Sequence, residues 1–432
     1  MQRVLVLDNQ RQPLSPTSPA RARILLRKGK AAVFRRFPFT IILINRTGGY
    51  FQPVELRLDP GSKTTGVALV QQNKDSDVVV FAAELHHRGH QIKFALDSRR
   101  AIRRNRRTHK TRYRKPRFYN RTRPAGWLPP SLNSRVDNCF YLARRLMTLA
   151  PIGSIAVETV RFDQQKIENP EISGVEYQRG TLFGFELKEY LLEKWNRICA
   201  YCGKTGVPLE IEHVVAKRNG GTNRVSNLVM SCRECNEKKK QQPIREFLQD
   251  KPALLAKILA QLKRPLKDAA AVNSTRYAIG DRLKEFGLPV SIWSGGRTKY
   301  NRTEQQYPKA HWIDAACVGD NGNVVRLDPT MPALQIKATG RGSRQMCRMD
   351  RFGFPRTSAK GLRLVKGFKT GDLVKAIVPS GKKQGTHIGR VAVRSNGSFN
   401  ISTTTETVQG IGYKYCRRLH IADGYHYQQQ SA

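Results

Sequence analysis

The sequence predicts an α/β multidomain protein with a strongly basic surface, and three observations lead there. Strand-sized apolar runs alternate with helical patterns along much of the chain. A compact block near the middle carries two CxxC pairs. Lys and Arg number 77 against 33 Asp and Glu, a net charge of +44. A length of 432 residues suits about three domains, and 39% hydrophobic residues suits folded cores.

The elements follow in chain order. Residues 1–52 form a small basic unit: strand-like VLVLD, a Pro-punctuated turn at PLSPTSPA, helix-like RARILLRKGKAAVF and strand-like FTIILIN. In 53–92, ELRLDPGSKTTGVALV alternates apolar and polar residues about a turn and reads as a hairpin, with DVVVFAAEL as a further strand. The segment 93–125 is basic: thirteen of the 27 residues from Asp97 to Arg123 are Lys or Arg and one is acidic, too much charge on every face for a buried helix. Residues 126–190 add a helix over SRVDNCFYLARRLMTLA and a strand at SIAVETV. The CxxC pairs lie in 191–245. In 246–332 a helical stretch precedes a strand at VSIWSGG and a helix beginning in KAHWIDAACVG. The last segment, 333–432, is rich in Gly and Thr and holds 18 basic residues against four acidic ones, which predicts a compact basic β-domain.

A charge of +44 opposes compaction unless a polyanion neutralises it, and it attracts nucleic acid at long range. Solubility alone does not require a charge of this size. Anionic membrane is the other polyanion, but no apolar run reaches the roughly 18 residues a spanning helix needs; FTIILI and VVVFAA are strand-sized. MQRVLVLDN reaches Asp8 too soon to form a secretory signal. The expectation is a soluble cytoplasmic nucleic-acid binder. Without a secretion signal, paired CxxC spacing argues for metal or redox chemistry and against a disulfide scaffold. Cys139, Cys317, Cys347 and Cys416 are scattered and read as ordinary buried thiols.

Cys199/Cys202 and Cys232/Cys235 are separated by 29 residues, counted between Cys202 and Cys232. Four thiolates suit a closed, structural Zn²⁺ site, the alternative being a pair of redox dithiols. Between and just past the knuckles run IEHVVAKRNGGTNRVSNL and CN. Beside cysteines a lone His is more often a zinc ligand or a structural residue, but two complete CxxC pairs leave zinc no vacancy for His213. Over about 45 residues this stretch resembles the HNH nuclease family, whose ββα fold places one His and two Asn around a single divalent ion. The resemblance implies that His213 ends the first strand as general base, a role that an ordinary imidazole pKa near 6.5 suits. It implies that Glu212 and Asn236 hold the ion and that Asn227 braces the loop carrying His213. Many members have Asp where this chain has Glu212. Hard oxygen ligands favour Mg²⁺.

Asp59 in LRLDPGS, Glu158 in IAVETV, and His311 with Asp314 in AHWIDAA form a second, scattered set. Singly they are weak: DPG is a good turn, and an acid ending a strand is usually a solvated charge. Two-metal phosphodiester hydrolysis nevertheless needs convergent carboxylates, and an i,i+3 spacing puts His311 and Asp314 on one helix face. Their order resembles the split RuvC nuclease, an RNase H-like fold assembled from three segments, with D-x-G-x-x-x-x-G at 59–66, a strand Glu, and H-x-x-D-A at 311–315. That resemblance implies two Mg²⁺ ions held by Asp59, Glu158 and Asp314, with His311 helping to activate water.

The joint order, an HNH module between the second and third RuvC segments, resembles the IscB family of transposon-associated relatives of the CRISPR type II effector nucleases. PLSP at Pro13–Pro16 matches that family's N-terminal Pro-Leu-Met-Pro motif except for Ser15. The segments then become an N-terminal PLMP-like domain (1–52), RuvC segments I (53–92), II (126–190) and III (246–332), an Arg-rich bridge helix (93–125), the HNH domain (191–245) and a C-terminal domain (333–432). Arg99, Arg100, Arg103, Arg104, Arg106, Arg107, Lys110, Arg112 and Arg114 would contact guide RNA. About 30 residues separate Arg123 from the strand of Glu158, too few for the recognition lobe of the CRISPR effectors, so a long structured RNA would supply that scaffold. Arg341, Arg344, Arg348, Arg417 and Arg418 would meet phosphates or guanine edges of double-stranded DNA beside a short flanking motif. HHRGH (86–90) reads as a linker to the basic helix, not as a metal site. The resemblance implies an RNA-guided DNA endonuclease, monomeric in a ribonucleoprotein of the bacterial or archaeal cytoplasm. The rivals are an unguided DNase or junction resolvase, and a zinc-containing RNA-binding protein without activity.

Overall fold

The computed structural model describes residues 2–73, 76–108, 126–159, 185–262, 267–340, 349–352, 354–358 and 364–429. The chain divides into two units, one of Met1–Val157, Asp281–Ile292 and Thr298–Ala432, the other of Glu158–Gly280 and Trp293–Arg297. Among the described residues, no helix is long and apolar enough to cross a membrane.

The first unit opens with β1 (Val4–Leu7), β2 (Pro13–Thr17), β3 (Ala31–Arg35) and β4 (Thr40–Leu43), in the order β2-β1-β4-β3, with helix α1 (Pro19–Arg27) between β2 and β3. Val4, Val6, Leu14, Ala22 and Ile41 form its core. Two strands depart from the sequence expectation. PLSPT supplies an edge strand where a turn was expected, because at an edge the N–H that proline lacks costs no ladder bond. The helix expected through RARILLRKGKAAVF stops at Arg27: Gly29 takes φ of +65°, a helix-ending conformation that glycine adopts cheaply, and AAVFR continues as β3.

Next come β5 (Val54–Pro60), β6 (Thr64–Gln71) and β7 (Asp77–His86), an antiparallel meander as the alternation predicts. Every residue of β6 is buried, as suits a strand covered on both faces. Helix α2 (Gly89–Thr108) buries none of its residues. Helix α3 (Pro130–Met147) turns Val136, Cys139, Phe140, Ala143 and Leu146 inward at helical spacing. β8 (Ile152–Glu158) then runs parallel to β5, pairing Leu56 with Ile155 and Leu58 with Val157.

In the second unit α4 (Phe185–Lys194) precedes β9 (Leu209–His213) and β10 (Leu228–Cys232), an antiparallel pair followed directly by α5 (Arg233–Lys239). Then come α6 (Ile244–Phe247), α7 (Pro252–Leu262) and α8 (Lys267–Lys284), the last ending in the first unit. The core collects Leu191, Tyr201, Val229, Met230, Ile244 and Ile258.

The chain returns through β11 (Val290–Trp293), α9 (Gly295–Glu304) and α10 (His311–Ala316). β12 (Val325–Arg326) and β13 (Leu334–Ala338) both run parallel to β7. β14 (Leu373–Val378), β15 (Gly385–Ala392), β16 (Ser398–Ser402), β17 (Thr407–Gly412) and β18 (Cys416–His420) make a separate five-stranded sheet around Val374, Val391, Phe399 and Ile401. β19 (Tyr425–Gln429) pairs antiparallel with β13, so the main sheet reads β11-β8-β5-β6-β7-β13-β19 with β12 also on β7. The C-terminal segment 333–432 therefore lends its first and last strands to the main sheet, leaving β14 to β18 as the β-domain.

Candidate active sites and metal centre

In the first unit, β5 ends in Asp59-Pro60 and the turn to β6 passes through Gly61. A Cβ on Gly61 would lie 2.4 Å from Thr64 O, and one on Gly66 would lie 1.8 Å from His311 O. Both glycines of D-x-G-x-x-x-x-G are thus steric requirements: the first for the tight turn, the second for α10 to lie against β6. That approach brings His311 Nδ1 to 3.8 Å from Asp59 Oδ2. Asp314, one helical turn on, is buried; Arg302 Nε lies 2.8 Å from its Oδ1 and Lys309 Nζ contacts its Oδ2. Burial raises the Asp314 pKa and the nearby Asp59 charge adds to the rise, while Lys309 and Arg302 oppose it. Buried Arg135, from α3, donates to Gly61 O at 2.7 Å and to Pro60 O, fixing the end of the Asp59 strand. Its pKa is lowered to about 10, chiefly by burial.

The fold thus brings Asp59, His311 and Asp314 together. Buried Glu158 closes β8 and belongs to the second unit. The sequence reading missed the cations Arg135, Arg302 and Lys309. A basic residue within the apolar stripe of α3 was a signal for the first, and Lys309 two places before His311 was another. In HHRGH, His86 bonds Thr64 Oγ1 at 3.1 Å and Gln335 Oε1 at 2.6 Å, and His87 bonds Thr65 Oγ1 at 2.7 Å.

In the second unit, Gly203 N donates to Cys199 O to close the first knuckle, and Ala200 N donates to Met230 O, tying it to β10. Cys232 caps α5 and Cys235 lies in its first turn, so both thiols share one face. The four sulfurs lie within 4.8 Å of one another, with Cys202 and Cys232 3.7 Å apart. Tetrahedral zinc with Zn–S bonds of about 2.3 Å separates its sulfurs by about 3.8 Å, so these residues fit zinc. Burial works against the Cys199 thiolate, but backbone N–H groups from Cys232, Cys202 and Tyr201 hold the thiol near a pKa of about 7. Among the described residues this is the one metal-sized cluster of His, Cys, Asp and Glu.

His213 is the last residue of β9, and its Nε2 meets Asn223 Oδ1 at 2.8 Å. Asn227 accepts from Val215 N at 2.8 Å and donates to Val215 O and Thr222 O, which pins the loop leaving His213. Glu212 is buried; its Oε1 accepts from Lys239 Nζ at 2.7 Å and its Oε2 from the Tyr201 hydroxyl. Asn236 donates from Nδ2 to Glu210 Oε2 at 2.8 Å. Glu212 and Asn236 are thus oxygen donors of the right type, but each is already engaged by a neighbour that the sequence did not announce.

Of the basic residues, Arg99, Arg100, Arg103, Arg104 and Arg107 are exposed on α2 and Arg106 is half-buried there. Lys110, Arg112, Arg114, Arg341, Arg344 and Arg348 lie outside the described residues. Arg417 and Arg418 are exposed on β18, where Arg418 donates to Gly367 O at 2.8 Å.

Two family models match the chain: "RRXRR protein" over residues 4–180 and "HNH endonuclease" over 199–242. No curated protein matches it in sequence. Among solved structures it is similar to the type II-C Cas9 enzyme from Actinomyces naeslundii, at 18% identity over 42% of this chain and 26% of that one, with a TM-score of 0.17. It is also similar to Streptococcus thermophilus Cas9 in complex with the GGAA PAM, at 10% identity over 61% and 31%, and with the AGAA PAM, at 12% identity over 61% and 32%, both at a TM-score of 0.20. The chain spans about a quarter to a third of the length of those Cas9 proteins. The chain thus carries an RRXRR-type region over residues 4–180 and an HNH endonuclease domain over 199–242.

Proposed function

We propose that this chain is an RNA-guided DNA endonuclease with two Mg²⁺-dependent centres, the HNH centre cutting the guide-paired strand and the RuvC-like centre the displaced strand. The observation that carries this is the HNH module itself: a ββ hairpin and helix on a four-cysteine knuckle, with His213 at the strand end and its loop pinned by Asn227. If Nε2–H of His213 is donated to Asn223, the lone pair at Nδ1 is the one that takes the proton from the attacking water. Glu212 and Asn236 would hold the ion there, Glu212 exchanging its contact with Lys239. At the other centre Asp59, Glu158 and Asp314 would hold two ions, with His311 beside Asp59 to accept a proton. The register that pairs Leu58 with Val157, one residue before each acid, supports adding Glu158. A bound divalent ion supplies charge neutralisation at the phosphate and the leaving oxygen.

A long structured RNA is the proposed partner, laid against α2, whose arginines have no protein face to bury. Base pairing then reads the target, and the C-terminal domain meets the flanking duplex. There Arg417 and Arg418 are the exposed candidates, Arg418 also donating to Gly367 O, with Arg341, Arg344 and Arg348 also proposed.

The test is to purify the protein with its native locus, wash it in high salt and sequence the retained RNA. A discrete RNA with a constant body and a variable segment is expected, and with it cleavage of matching duplex. His213→Ala and Asp59→Ala should each leave a nick, on opposite strands. A polydisperse smear that washes away, or loss of both cuts in either single variant, overturns the reading.

A further inference from the structure

A cleft of about 590 Å³ in the first unit is lined by none of Asp59, His311 and Asp314. Arg35 enters from the end of β3, Arg88 from the residue before α2, and Gly340, Asp423, Gly424 and Tyr425 from the C-terminal segment. One stripe of α3 lines the remaining wall, including Asp137, Asn138, Tyr141, Arg144 and Arg145. Four arginines face two acids, so the cleft is cationic.

The two acids differ in kind. Asp423 is saturated: it receives Arg35 at 2.6 Å, Arg145 at 2.9 Å, the Tyr427 hydroxyl at 2.9 Å and His420 at 3.3 Å. Burial opposes its charge, but these partners hold its pKa down to about 2, so it stays ionised and fixes two guanidinium groups as a rigid floor. Arg145 also stacks over the Tyr425 ring at 5.3 Å. Arg144 is exposed and free for an anion, while Tyr141 presents an exposed ring. Asp137 is half-buried and accepts from Asn133 Nδ2 at 3.0 Å. Beside it the shielded Nδ2 of Asn138 has no hydrogen-bond partner.

A cleft made only for phosphate would not keep a carboxylate on its wall. A carboxylate is an acceptor, and it belongs where the ligand donates as well as carries charge. The geometry points to an unpaired ribonucleotide of a single-stranded RNA segment as the occupant: phosphate on Arg144 and Arg88, base on the Tyr141 ring, and 2′-hydroxyl donated to Asp137. Guanidinium forks suit phosphate, and unstacked RNA bases are held on aromatic rings and by their 2′-hydroxyls. The volume accommodates a nucleotide. The inference deepens the RNA-binding part of the proposed function and needs neither nuclease centre.

The test uses the full chain without metal and short single-stranded RNA and DNA of one base sequence, followed by fluorescence anisotropy across a salt series. Arg144→Ala should weaken RNA binding and flatten its logarithmic salt dependence by about 0.7. Asp137→Ala gives the sharper reading, because a diffuse positive field and a nucleotide site predict opposite signs. The inference expects it to lower the RNA-over-DNA affinity ratio about tenfold, the loss of one charge-assisted hydrogen bond. Equal tightening of RNA and DNA in Asp137→Ala overturns the site, as does an unchanged ratio. Arg144 is exposed, so Arg144→Ala stays informative if Asp137→Ala fails to fold, and unchanged RNA affinity there overturns the site too. Because no cleavage is read, failure of the guided-nuclease reading leaves this result standing.

Discussion

Lys239 is wholly shielded from solvent, with its ammonium 2.7 Å from Glu212 Oε1 and 2.9 Å from His213 O. Taking an ammonium and a carboxylate out of water is costly, and the cost is recovered only while each compensates the other. Removing one partner strands the second charge in the core beneath the HNH strand. We expect Lys239→Ala to destabilise the second unit by about 3–5 kcal/mol. Glu212→Gln in the same chain should recover part of that loss, since the stranded carboxylate is gone. Thermal melting followed by circular dichroism measures both. A Lys239→Ala chain within about 0.5 kcal/mol of the parent would show that the pair carries no stability. Lys239 also touches the His213 carbonyl, so the same side chain couples the proposed base to the carboxylate beside it.

At the scale of elements, the four-cysteine knuckle sits against a short hairpin and a seven-residue helix that could not stand alone. The β9–β10 pair has two strands of five residues each, and an isolated two-stranded ribbon is marginal in water. The four cysteine sulfurs lie within 4.8 Å of one another, and a zinc ion held by them would tie the hairpin to α5, its binding free energy becoming folding free energy. One zinc per chain is expected by elemental analysis, and a strong chelator should melt the second unit while the main sheet persists. Circular dichroism and thiol titration would follow the two events. Four newly reactive thiols without structural loss would show that zinc does not hold the fold. The cysteines were legible because ligand spacing is local, and Gly61 and Gly66 because a turn and a close approach leave their mark at fixed positions. Arg302 was not legible as a site residue, because it meets its acid from another helix, and Arg135 showed only as a basic residue in an apolar stripe, its carbonyl partners lying on an element remote in sequence. β2 and β3 were misread for a related reason: edge position and one helix-ending glycine decide them, and neither shows in propensity.

Across the whole molecule the unresolved force is self-repulsion. A chain of +44 keeps its charge on surfaces such as α2, where six arginines share the helix with one acid, Asp97. Repulsion among exposed cations is screened beyond about 8 Å at physiological ionic strength, so the free protein should gain stability as salt rises. A bound polyanion reverses that sign. It stabilises the fold by about 2.7 kcal/mol at a hundredfold excess over its Kd, and salt then weakens it through counterion release. We therefore expect the melting temperature of the RNA-free chain to rise with sodium chloride and that of the RNA-bound chain to start higher and fall. Differential scanning fluorimetry on both forms across one salt series reads the crossing directly. Parallel curves would mean that the charge is dissipated within the fold, and that nucleic acid is not what balances it.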